Sequence, residues 1–590
     1  MERSSAGTVI IGAGVVGAST AYHLAELGCT DVLVVDAGPL FATGGSSSHA
    51  PGLVFQTSPS RTLTQLARVT VDLWRSLELD GEPCYLPVGG IEIATTQQRV
   101  RELHRRHGLA TAWGLEPELL TPSEVAAYEP LIDPDRVLAG LHVPDDGVGK
   151  SVRAVEAMAR GAMRHGVAFQ GDTEVTGIDV EDGRVVAVGT TRGRIETDRV
   201  VCCAGIWGPA IGEMVGVTIP VQPLAHQLAW TEPVPSLAGS ATETEHPILR
   251  HQDASLYFRQ NHDRYGIGSY RHRAIPVDVH DIASHDQAEV MPSVQPFTRE
   301  DFAGPHREAI ELLPELANVD VDDAFNGLFL FTSDGMPVVG PSRTVAGFWV
   351  AEAVWVTHSG GVGRAVAEWI VEGRPSIDMR QADIARFEPH ALTPAYVRAR
   401  SSQNFREVYD IIHPAQPSEQ CRGLRTSPFY SRQQELGAMF LEASGWERPH
   451  WYEANADLVD RLSEVPAIES LGSAPLRDEW SSKWWSPIVL AEQRAAREGV
   501  AMVDMTPLAK VEVTGSGALD FLQTRTTNRL DRAPGYVTYT LLLDGTGGVL
   551  SDLTVARLGE DHFQVGTNGP RDLDLLLRQV PQDGSVRIRN

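Results

Sequence analysis

The sequence predicts a multidomain protein of the α/β and α+β classes, and three observations support this prediction. Residues 8–36 run as a short apolar strand, a glycine turn, a helix and a second strand. Residues 226–270 alternate apolar and polar side chains, which is typical of antiparallel strands. From about Trp480 a second globular pattern of helix and strands begins. A chain of 590 residues is long enough for two or three such domains.

The first segment has the complete order of a dinucleotide-binding fingerprint: strand, glycine turn, helix, strand and acidic residue. These parts are Val9–Ile11, Gly12-x-Gly14-x-x-Gly17, Ala18–Leu27, Val32–Val35 and Asp36. The glycines let the backbone approach a pyrophosphate, the helix N-terminus offers free N–H groups, and Asp36 can accept a ribose hydroxyl. The fingerprint does not choose between NAD and FAD. We expect the block that follows at 44–52, GGSSSHAPG, to decide between them.

Helices and strands follow the fingerprint in an order that leaves the parallel sheet and later returns to it. We predict helices at Arg61–Leu77, Gln97–His107, Pro122–Tyr128 and Lys150–Gly166, and strands within Tyr85–Ala94, Val167–Gln170, Val175–Glu181 and Asp198–Gly205. Further along, the predicted elements are two strands around a turn in Phe325–Gly340, a strand in Gly347–Thr357 and a helix in His358–Gly373. These last segments are predicted to return to the dinucleotide fold, which makes its domain discontinuous.

The chain is predicted to divide into three domains. Residues 1–387 form the nucleotide-binding domain, which includes an antiparallel sheet at about 215–325. Residues 388–455, rich in Pro, Ser, Arg and aromatic side chains, form a connecting domain. Residues 456–590 form the last domain, in which Pro487–Glu498 is predicted as a helix.

Composition argues against several classes of partner. The formal charge of −27 is spread along the chain and disfavours binding to nucleic acid or to an anionic membrane. The five cysteines have no metal-ligand spacing, so we predict no metal site and no disulfide framework. No run is long and apolar enough to span a bilayer. Only seven residues precede the first strand, too few for a signal peptide, which favours a bacterial cytoplasmic protein.

Several longer motifs connect the chain to a known family: GSSSHAPGLVFQ, PLAHQ, LRHQD, DRYGIGSY, EAVWVTHS, TYTLLLD and GGVLSDLTV. On these motifs, Thr8 to about Phe387 resembles the glycine-oxidase and sarcosine-oxidase branch of the FAD-dependent amine oxidoreductases. The tail from about Trp480 resembles the N-terminal part of the aminomethyltransferase (T-protein) fold. The fusion resembles the family of dimethylglycine oxidase, dimethylglycine dehydrogenase and sarcosine dehydrogenase, and is most similar to its bacterial oxidases. The resemblance implies an FAD-binding Rossmann-type domain with an antiparallel substrate sheet, followed by a truncated aminomethyltransferase-like folate domain.

The resemblance implies FAD as the cofactor, attached covalently through His49 to the 8α carbon of the flavin. A histidine that is hydrogen-bonded to the backbone near the pyrophosphate is the alternative. In the family, the helix that opens at His358–Gly361 points its N-terminus at the flavin pyrimidine edge, although close packing also explains its glycines. The predicted cofactor-binding residues are Gly12, Gly14, Val15, Val16, Gly17, Asp36, Ala37, Ser46, Ser47, Ser48, His49, Leu53, Val175 (through its backbone), Tyr257, His358, Ser359, Gly360 and Gly361.

The resemblance also implies that the first domain oxidises an N-methyl group of dimethylglycine by hydride transfer to the flavin, giving sarcosine. His226 and Tyr257 match the family's substrate site and are the predicted catalytic residues; a buried strand histidine and a lid aromatic are the alternative. A protonated amine does not give up a hydride easily, so the site needs a proton acceptor or an environment that favours the free amine. The candidates for binding the substrate carboxylate, which stay open, are Arg250, Arg259, Tyr270 and Arg271.

In the last domain, Asp552 matches the family's carboxylate that acts near bound folate and is predicted to be catalytic, and Tyr539 matches a folate-contacting position. The resemblance therefore implies tetrahydrofolate as the acceptor of the iminium carbon. An aspartate that ends a hairpin turn is the alternative for Asp552. The T-protein fold normally continues beyond the position of Asn590, so the carbon passes either to folate, as 5,10-methylenetetrahydrofolate, or to water, as formaldehyde. Two other functions stay open: a sarcosine or other secondary-amine dehydrogenase, and a non-catalytic flavin- and folate-binding protein. Oxygen or an electron-transfer protein is the expected oxidant.

Overall fold

The computed structural model describes residues 3–42, 44–413, 415–464 and 484–590, and the chain divides into two compact units. The first unit extends to Ile384 and also includes Leu392–Ile411. The second unit comprises Ala385–Ala391 and the residues from Ile412 onward.

A six-stranded sheet, five of whose strands run parallel, is the centre of the first unit. Its strands lie in the order Ala168–Gln170, Val32–Val35, Thr8–Ile11, Val200–Cys202, Phe348–Glu352 and Val338–Pro341, and only the last pairs in the antiparallel direction. Thr8–Ile11 and Val32–Val35 are buried along their whole length, as the unbroken apolar runs of these strands require. The predicted Rossmann-type sheet and its discontinuity are confirmed.

The helices of the first unit pack closely on one another through small residues. They are Val15–Glu26, Ser46–His49, Arg61–Arg75, Gln97–Ala112, Pro122–Tyr128, Ser151–Arg164, Gly208–Met214, Arg299–Leu312, Ser359–Glu372 and Pro394–Glu407. A Cβ atom on Gly361 would lie 2.4 Å from the Leu66 carbonyl oxygen, and one on Gly363 would lie 2.2 Å from Ser19 Oγ. The helix that starts at Ser359 therefore approaches two neighbouring helices at a distance that only glycine permits.

A second, ten-stranded sheet of the first unit contains the alternating segment. Its strands lie in the order Val294–Gln295, Val321–Thr332, Val221–Thr231, Arg264–Ser269, Leu256–Asn261, Ile248–His251, Gly90–Ala94, Ala139–Val143 and Glu118–Leu120, with Ile275–Pro276 beside Val221–Thr231. Its strand pairs are antiparallel except for Ile248–His251 with Gly90–Ala94. The antiparallel sheet predicted for residues 226–270 is confirmed.

Two features of this sheet differ from the prediction. Strands from 90 to 143 belong to it, although the predicted sheet began at about residue 215. The two strands predicted within Phe325–Gly340 belong to different sheets: Val321–Thr332 lies here, whereas Val338–Pro341 lies in the parallel sheet. Two strands joined by a short turn normally form a hairpin. Here the chain turns at Gly335, with φ +75°, and passes from one sheet to the other.

Smaller sheets complete the first unit. One contains Val175–Glu181, Arg184–Thr190 and Gly193–Glu196, another contains Leu53–Val54, Gly147–Gly149 and Tyr85–Leu86, and Glu78–Leu79 pairs with Glu82–Pro83. Residues 394–407 were predicted to belong to the connecting domain 388–455, but they form the helix Pro394–Glu407, which lies in the first unit. It does so because Phe405 and the nearby Tyr409 are buried in an aromatic cluster with Phe331 and Tyr270.

The second unit is an α+β fold around a five-stranded antiparallel sheet. The strand order is Val537–Leu543, Val549–Arg557, His562–Thr567, Ala509–Thr514 and Arg587–Arg589, and a separate hairpin joins Ala438–Ala443 to Trp446–Tyr452. Its helices are Tyr430–Glu435, Ile488–Glu498, Ala518–Gln523 and Pro570–Leu577. Alternate strand residues such as Val511, Val513 and Val565 fill a common core, as the period of two predicts.

Within the described ranges, no helix has the length and apolarity to cross a bilayer, and no cluster of His, Cys, Asp or Glu is arranged to hold a metal ion.

Candidate functional site

The glycine turn of the parallel sheet has the shape that a bound dinucleotide requires. A Cβ atom on Gly12 would lie 2.3 Å from the Cys203 carbonyl oxygen, and one on Gly17 would lie 1.9 Å from the Gly12 carbonyl oxygen. A Cβ atom on Gly14 would have Ser47 Oγ, at 3.3 Å, as its nearest neighbour. The first and third glycines therefore build the turn, and the second faces the space before the helix N-terminus, where a pyrophosphate binds in such folds. These residues fit FAD.

Asp36, at the end of the second parallel strand, forms hydrogen bonds to the backbone of three neighbouring segments. Its carboxylate accepts hydrogen bonds from the backbone N–H groups of Ala13 at 2.7 Å and Gly38 at 2.9 Å. The Thr173 N–H donates to the Asp36 carbonyl at 2.7 Å, which brings the strand that begins at Val175 to this edge. Each carboxylate oxygen keeps a second lone pair, so the ribose contact predicted for Asp36 stays a prediction.

The segment Ser46–His49 forms one helical turn between the two large sheets. Ser47 Oγ accepts the Val15 N–H at 3.2 Å, at the helix that follows the glycine turn. Ser46 Oγ donates to the Leu328 carbonyl at 2.7 Å, and His49 Nε2 lies 3.2 Å from the same oxygen. The histidine block thus connects the nucleotide-binding turn to the strand Val321–Thr332 of the ten-stranded sheet.

His49 is an uncharged imidazole in this position. Burial lowers its pKa to about 4, although the hydrogen bond to Leu328 acts in the opposite direction. Nε2 faces the Leu328 carbonyl oxygen, and the neutral imidazole keeps a lone pair on one of its two ring nitrogens. The ring lies against Gly327, where a Cβ atom would come within 2.5 Å of Nδ1. This hydrogen bond reaches a strand of the ten-stranded sheet and not the backbone of the glycine turn, so the covalent link and its hydrogen-bonded alternative both stay predictions.

The structure brings His226 and Tyr257 together. His226 Nε2 lies 2.8 Å from the Tyr257 hydroxyl oxygen, and the imidazole stacks on Tyr270 with ring centroids 4.2 Å apart. Gly268 makes room for this arrangement, because a Cβ atom there would lie 1.8 Å from the Tyr257 ring. Burial holds the pKa of His226 well below its ordinary value and that of Tyr257 well above it, so both groups are uncharged near neutral pH.

Strand register places His49 beside this pair. His226 pairs with Gly327 across the two longest strands of the sheet, and the His49 ring lies against that same glycine. Leu53 packs against the cluster that contains Tyr257. Residues predicted for the cofactor and for the substrate therefore meet on one face of one sheet.

The helix Ser359–Glu372 is held by packing at its N-terminus. A Cβ atom on Gly360 would lie 2.8 Å from Thr70 Cα, and the Gly361 N–H donates to Thr70 Oγ1 at 3.2 Å. Burial lowers the pKa of His358, the residue before the helix, to about 4. Close packing, the second explanation considered for these glycines, is what the contacts show. An interaction with a flavin stays a prediction.

Sequence reasoning missed a buried ionic cluster beside Tyr257. Glu92 is 2 % exposed and forms ion pairs with Arg250 and, at 2.8 Å, with Arg106. Burial alone would raise the pKa of Glu92, but the two arginines together with the Thr57 hydroxyl lower it below its usual 4.5. The available signal was an acidic residue inside the apolar strand GGIEIA, because a buried carboxylate requires a charged partner.

The predicted folate residues also meet, in the second unit. Tyr539 and Asp552 lie on neighbouring strands, with the Tyr539 hydroxyl 3.3 Å from Asp552 Oδ2. Asn568, which was not predicted, donates from Nδ2 to Asp552 Oδ1 at 2.9 Å. The Tyr539 side chain is 58 % exposed, so this trio lies at an open face of the hairpin.

Three family models match successive parts of the chain. The model described as FAD dependent oxidoreductase matches residues 8–369, and the FAD dependent oxidoreductase central domain matches residues 372–427. The GCVT N-terminal domain matches residues 429–590, a range that begins inside the predicted connecting domain. Within the second unit, Tyr452 of the hairpin donates its N–H to Glu492 Oε1 at 2.9 Å, so this earlier segment packs as part of the same fold.

Curated relatives match along nearly the whole chain. The 4-methylaminobutanoate oxidase (formaldehyde-forming) of Paenarthrobacter nicotinovorans is 31 % identical over 95 % of this chain and 65 % of its own length. Human mitochondrial sarcosine dehydrogenase is 30 % identical over 95 % of this chain and 62 % of its own length. Rat mitochondrial dimethylglycine dehydrogenase is 28 % identical over 97 % of this chain and 65 % of its own length. The chain thus spans less than two thirds of the length of these relatives.

Solved structures support the fold of the first unit. The L-proline dehydrogenase of P. horikoshii superposes with a TM-score of 0.56 at 22 % identity, over 65 % of this chain and 98 % of that protein. At this identity the likeness concerns the fold alone.

Replacing Glu92 by Gln should destabilise the protein by about 3–5 kcal/mol, because two buried arginines lose their shared counter-charge. Folding lowers the pKa of Glu92, so its contribution is complete above pH 4.5 and is lost as the pH falls below that value. Urea unfolding of the purified protein at pH 7.5 and pH 4 measures both effects. Glu311→Gln, which breaks the exposed pair with Arg136, is the control and should change stability by less than about 1 kcal/mol. An equal effect of the two variants at pH 7.5 would contradict the assignment.

Proposed function

Because this chain belongs to the FAD-dependent oxidoreductase family, we propose that it oxidises an N-methyl group of a small N-methyl amino acid. The observation that carries the proposal is the contact of His226 with Tyr257 on the sheet face where His49 lies against Gly327. FAD, when bound, supplies the hydride acceptor. The turn Gly12–Gly17, Asp36 and the segment Ser46–His49 would hold it.

The electrostatics of the His226 site favour the free amine. Desolvation is the main reason why the pKa of His226 is lowered, and a buried ammonium would carry the same penalty. A neutral amine has a lone pair that assists loss of hydride from its methyl group, leaving an iminium. The hydrogen bond between Tyr257 and His226 fixes both rings, and the surrounding rings of Tyr270, Phe329 and Phe405 exclude water.

Dimethylglycine is the proposed substrate, and sarcosine is the product that remains after one methyl group leaves. Relatives named for dimethylglycine, sarcosine and 4-methylaminobutanoate have similar identity to this chain, so each is a substrate to test. All three share an N-methyl amine and a carboxylate. A secondary-amine dehydrogenase is the second candidate, favoured by the 30 % identity to sarcosine dehydrogenase.

Covalent attachment of FAD through His49 is part of the proposal. The imidazole is uncharged at pH 7, so one of its ring nitrogens has the lone pair that a nucleophile needs. Bond formation to the 8α carbon is a two-electron oxidation, so it needs the same oxidant that later accepts electrons from the amine. That oxidant is oxygen or an electron-transfer protein.

In the second unit, Asp552 and Tyr539 are the proposed contacts to tetrahydrofolate. The Asp552 carboxylate, which is hydrogen-bonded by Asn568 and Tyr539, would accept the proton that a folate nitrogen loses when it attacks the iminium. Without folate, water takes its place and formaldehyde is released.

The flavin linkage is tested by acid precipitation of the holoprotein. Yellow colour should remain in the precipitate of the wild type and of His251→Asn, which removes another buried histidine, and should pass to the supernatant for His49→Ala. Free flavin in the wild-type supernatant would refute the covalent link.

The oxidation is tested by anaerobic bleaching of the flavin. Dimethylglycine should bleach the flavin faster than equal concentrations of sarcosine or 4-methylaminobutanoate, and Tyr257→Phe should slow bleaching by about 10²-fold. The ratio of the rates identifies the substrate. If none of the three amines bleaches the flavin, the protein does not oxidise N-methyl amino acids.

The folate role is tested by the ratio of formaldehyde released with and without tetrahydrofolate. Wild-type protein should release several times less formaldehyde when tetrahydrofolate is present. Asp552→Asn should raise that ratio toward one, whereas Asp583→Asn, at an exposed aspartate of the same unit, should leave it at the wild-type value. A wild-type ratio of one would show that the iminium hydrolyses unassisted.

A further inference from the structure

The chain that follows His49 is anchored to a strand of the ten-stranded sheet. The Pro51 carbonyl accepts a hydrogen bond from Arg259 Nη1, and the Gly52 carbonyl accepts one from the Gly149 N–H at 2.7 Å. Gly52 has φ +78°, and a Cβ atom there would lie 2.3 Å from the Gly149 carbonyl oxygen. The peptide that begins two residues after the histidine is therefore fixed from two directions.

Arg259 is bound to the protein by all three of its guanidinium nitrogens. Besides the contact of Nη1 with Pro51, its Nε donates to the Gln260 carbonyl at 3.2 Å and its Nη2 pairs with Glu243. The residue is 7 % exposed, and its Cζ lies 5.7 Å from the centroid of the Trp230 ring. Arg259 was one candidate for binding the substrate carboxylate, but each of its nitrogens faces an acceptor of the protein itself.

The Glu243 carboxylate joins the two anchors of this peptide. It pairs with Arg259 and also accepts hydrogen bonds from Lys150 Nζ at 2.5 and 2.6 Å. Lys150 comes directly after Gly149, the residue that holds Gly52. Without Arg259 the contact from Gly149 would remain, so the segment would shift rather than detach.

His49 is thus held between anchors of two different kinds. Before it, Ser46 and Ser47 form hydrogen bonds to distant backbone groups. After it, the charged Arg259 holds the Pro51 carbonyl. A hydrogen bond from an ionised guanidinium is stronger than one between neutral groups. The position of the imidazole therefore depends on Arg259 as well as on the serines.

Arg259 lies on the same face of its strand as Tyr257, because side chains two residues apart in a strand point to one face. On the neighbouring strand these two residues pair with Gly266 and Gly268. A Cβ atom on Gly266 would lie 2.8 Å from the Trp230 ring, so glycine makes room for that ring as Gly268 does for the Tyr257 ring. The anchor of the histidine segment thus belongs to the sheet face of the proposed catalytic tyrosine.

We infer that Arg259 is a positioning residue for the attachment of the flavin to His49. The inference rests on the covalent link in the proposed function and adds the group that sets how fast this link forms. A C–H bond of the 8α methyl group and the imidazole N–H bond are replaced by a C–N bond, and the two hydrogens, as two electrons and two protons, reduce the flavin. Oxygen then takes them and becomes hydrogen peroxide. Such a bond forms only when the reacting atoms are aligned at about 3–3.5 Å, so a shift of the segment that carries His49 slows it.

The test follows attachment over time in protein that is prepared from riboflavin-starved cells and then mixed with saturating FAD in air. Samples are precipitated with acid, and the flavin in the precipitate is the attached fraction. Arg259→Gln should attach FAD about 10²-fold more slowly than the wild type, because a displacement of about 1 Å has an effect of that size. Arg259→Lys, which keeps the charge but not the fork of donors, should lie between the two.

Arg99→Gln is the control, because it removes another buried arginine of the first unit, one that pairs with Asp253. It should attach FAD at the wild-type rate. Equal rates in Arg259→Gln and the wild type would overturn the inference, and so would an equal slowing in Arg99→Gln.

Affinity for FAD separates positioning from a loss of structure. His49→Ala cannot form the link, so its FAD binds reversibly and flavin fluorescence measures the Kd. Adding Arg259→Gln to this variant should leave the Kd unchanged. A Kd that weakens in proportion to the slower attachment would show that Arg259 serves binding of FAD, and it would refute the positioning role.

Failure of the proposed function has a different signature. If no amine bleaches the flavin and Arg259→Gln still attaches FAD slowly, the oxidation proposal fails and the role of Arg259 stands. If the wild type attaches no flavin, the covalent link and the inference are both wrong, and bleaching then reports on the oxidation alone.

Discussion

The hydrogen bonds that Ser46 and His49 make to one carbonyl oxygen, that of Leu328, are the interaction on which the site depends. They join the loop that follows the second parallel strand to a strand of the ten-stranded sheet, 282 residues away in the sequence for Ser46. The Leu328 N–H is itself bound by the Ser293 carbonyl at 2.7 Å, so this peptide is anchored on both sides. This junction helps to fix the position of the glycine turn relative to the second sheet.

Glycine gives this junction its geometry. Gly327 allows the His49 ring to lie on the sheet, and Gly268 allows the Tyr257 ring to do so, in each case at a distance that a Cβ atom would occupy. The two rings therefore occupy the space beside the sheet that Cβ atoms would fill.

Burial has opposite consequences on two parts of that face. Around His226 there is no counter-charge strong enough to offset desolvation, so the imidazole stays neutral. Around Arg250 the groups stay charged, because the Glu92 carboxylate forms ion pairs with both Arg250 and Arg106. Neighbouring strands of one sheet thus carry a neutral imidazole and a buried cluster of ion pairs.

Local sequence determined the glycine turn, the parallel strands and the antiparallel segment, because periodicity is a property of neighbouring residues. The family resemblance of the longer motifs pointed to His226 and Tyr257. The family that the motifs suggested is confirmed by the matched models. Only the tertiary structure decided which arginine lies beside Tyr257, since the pairing of Arg250 with Glu92 joins residues 158 apart. It also placed Val321–Thr332 in the second sheet and Phe405 in the first unit, because burial against distant aromatic residues outweighs adjacency in the chain.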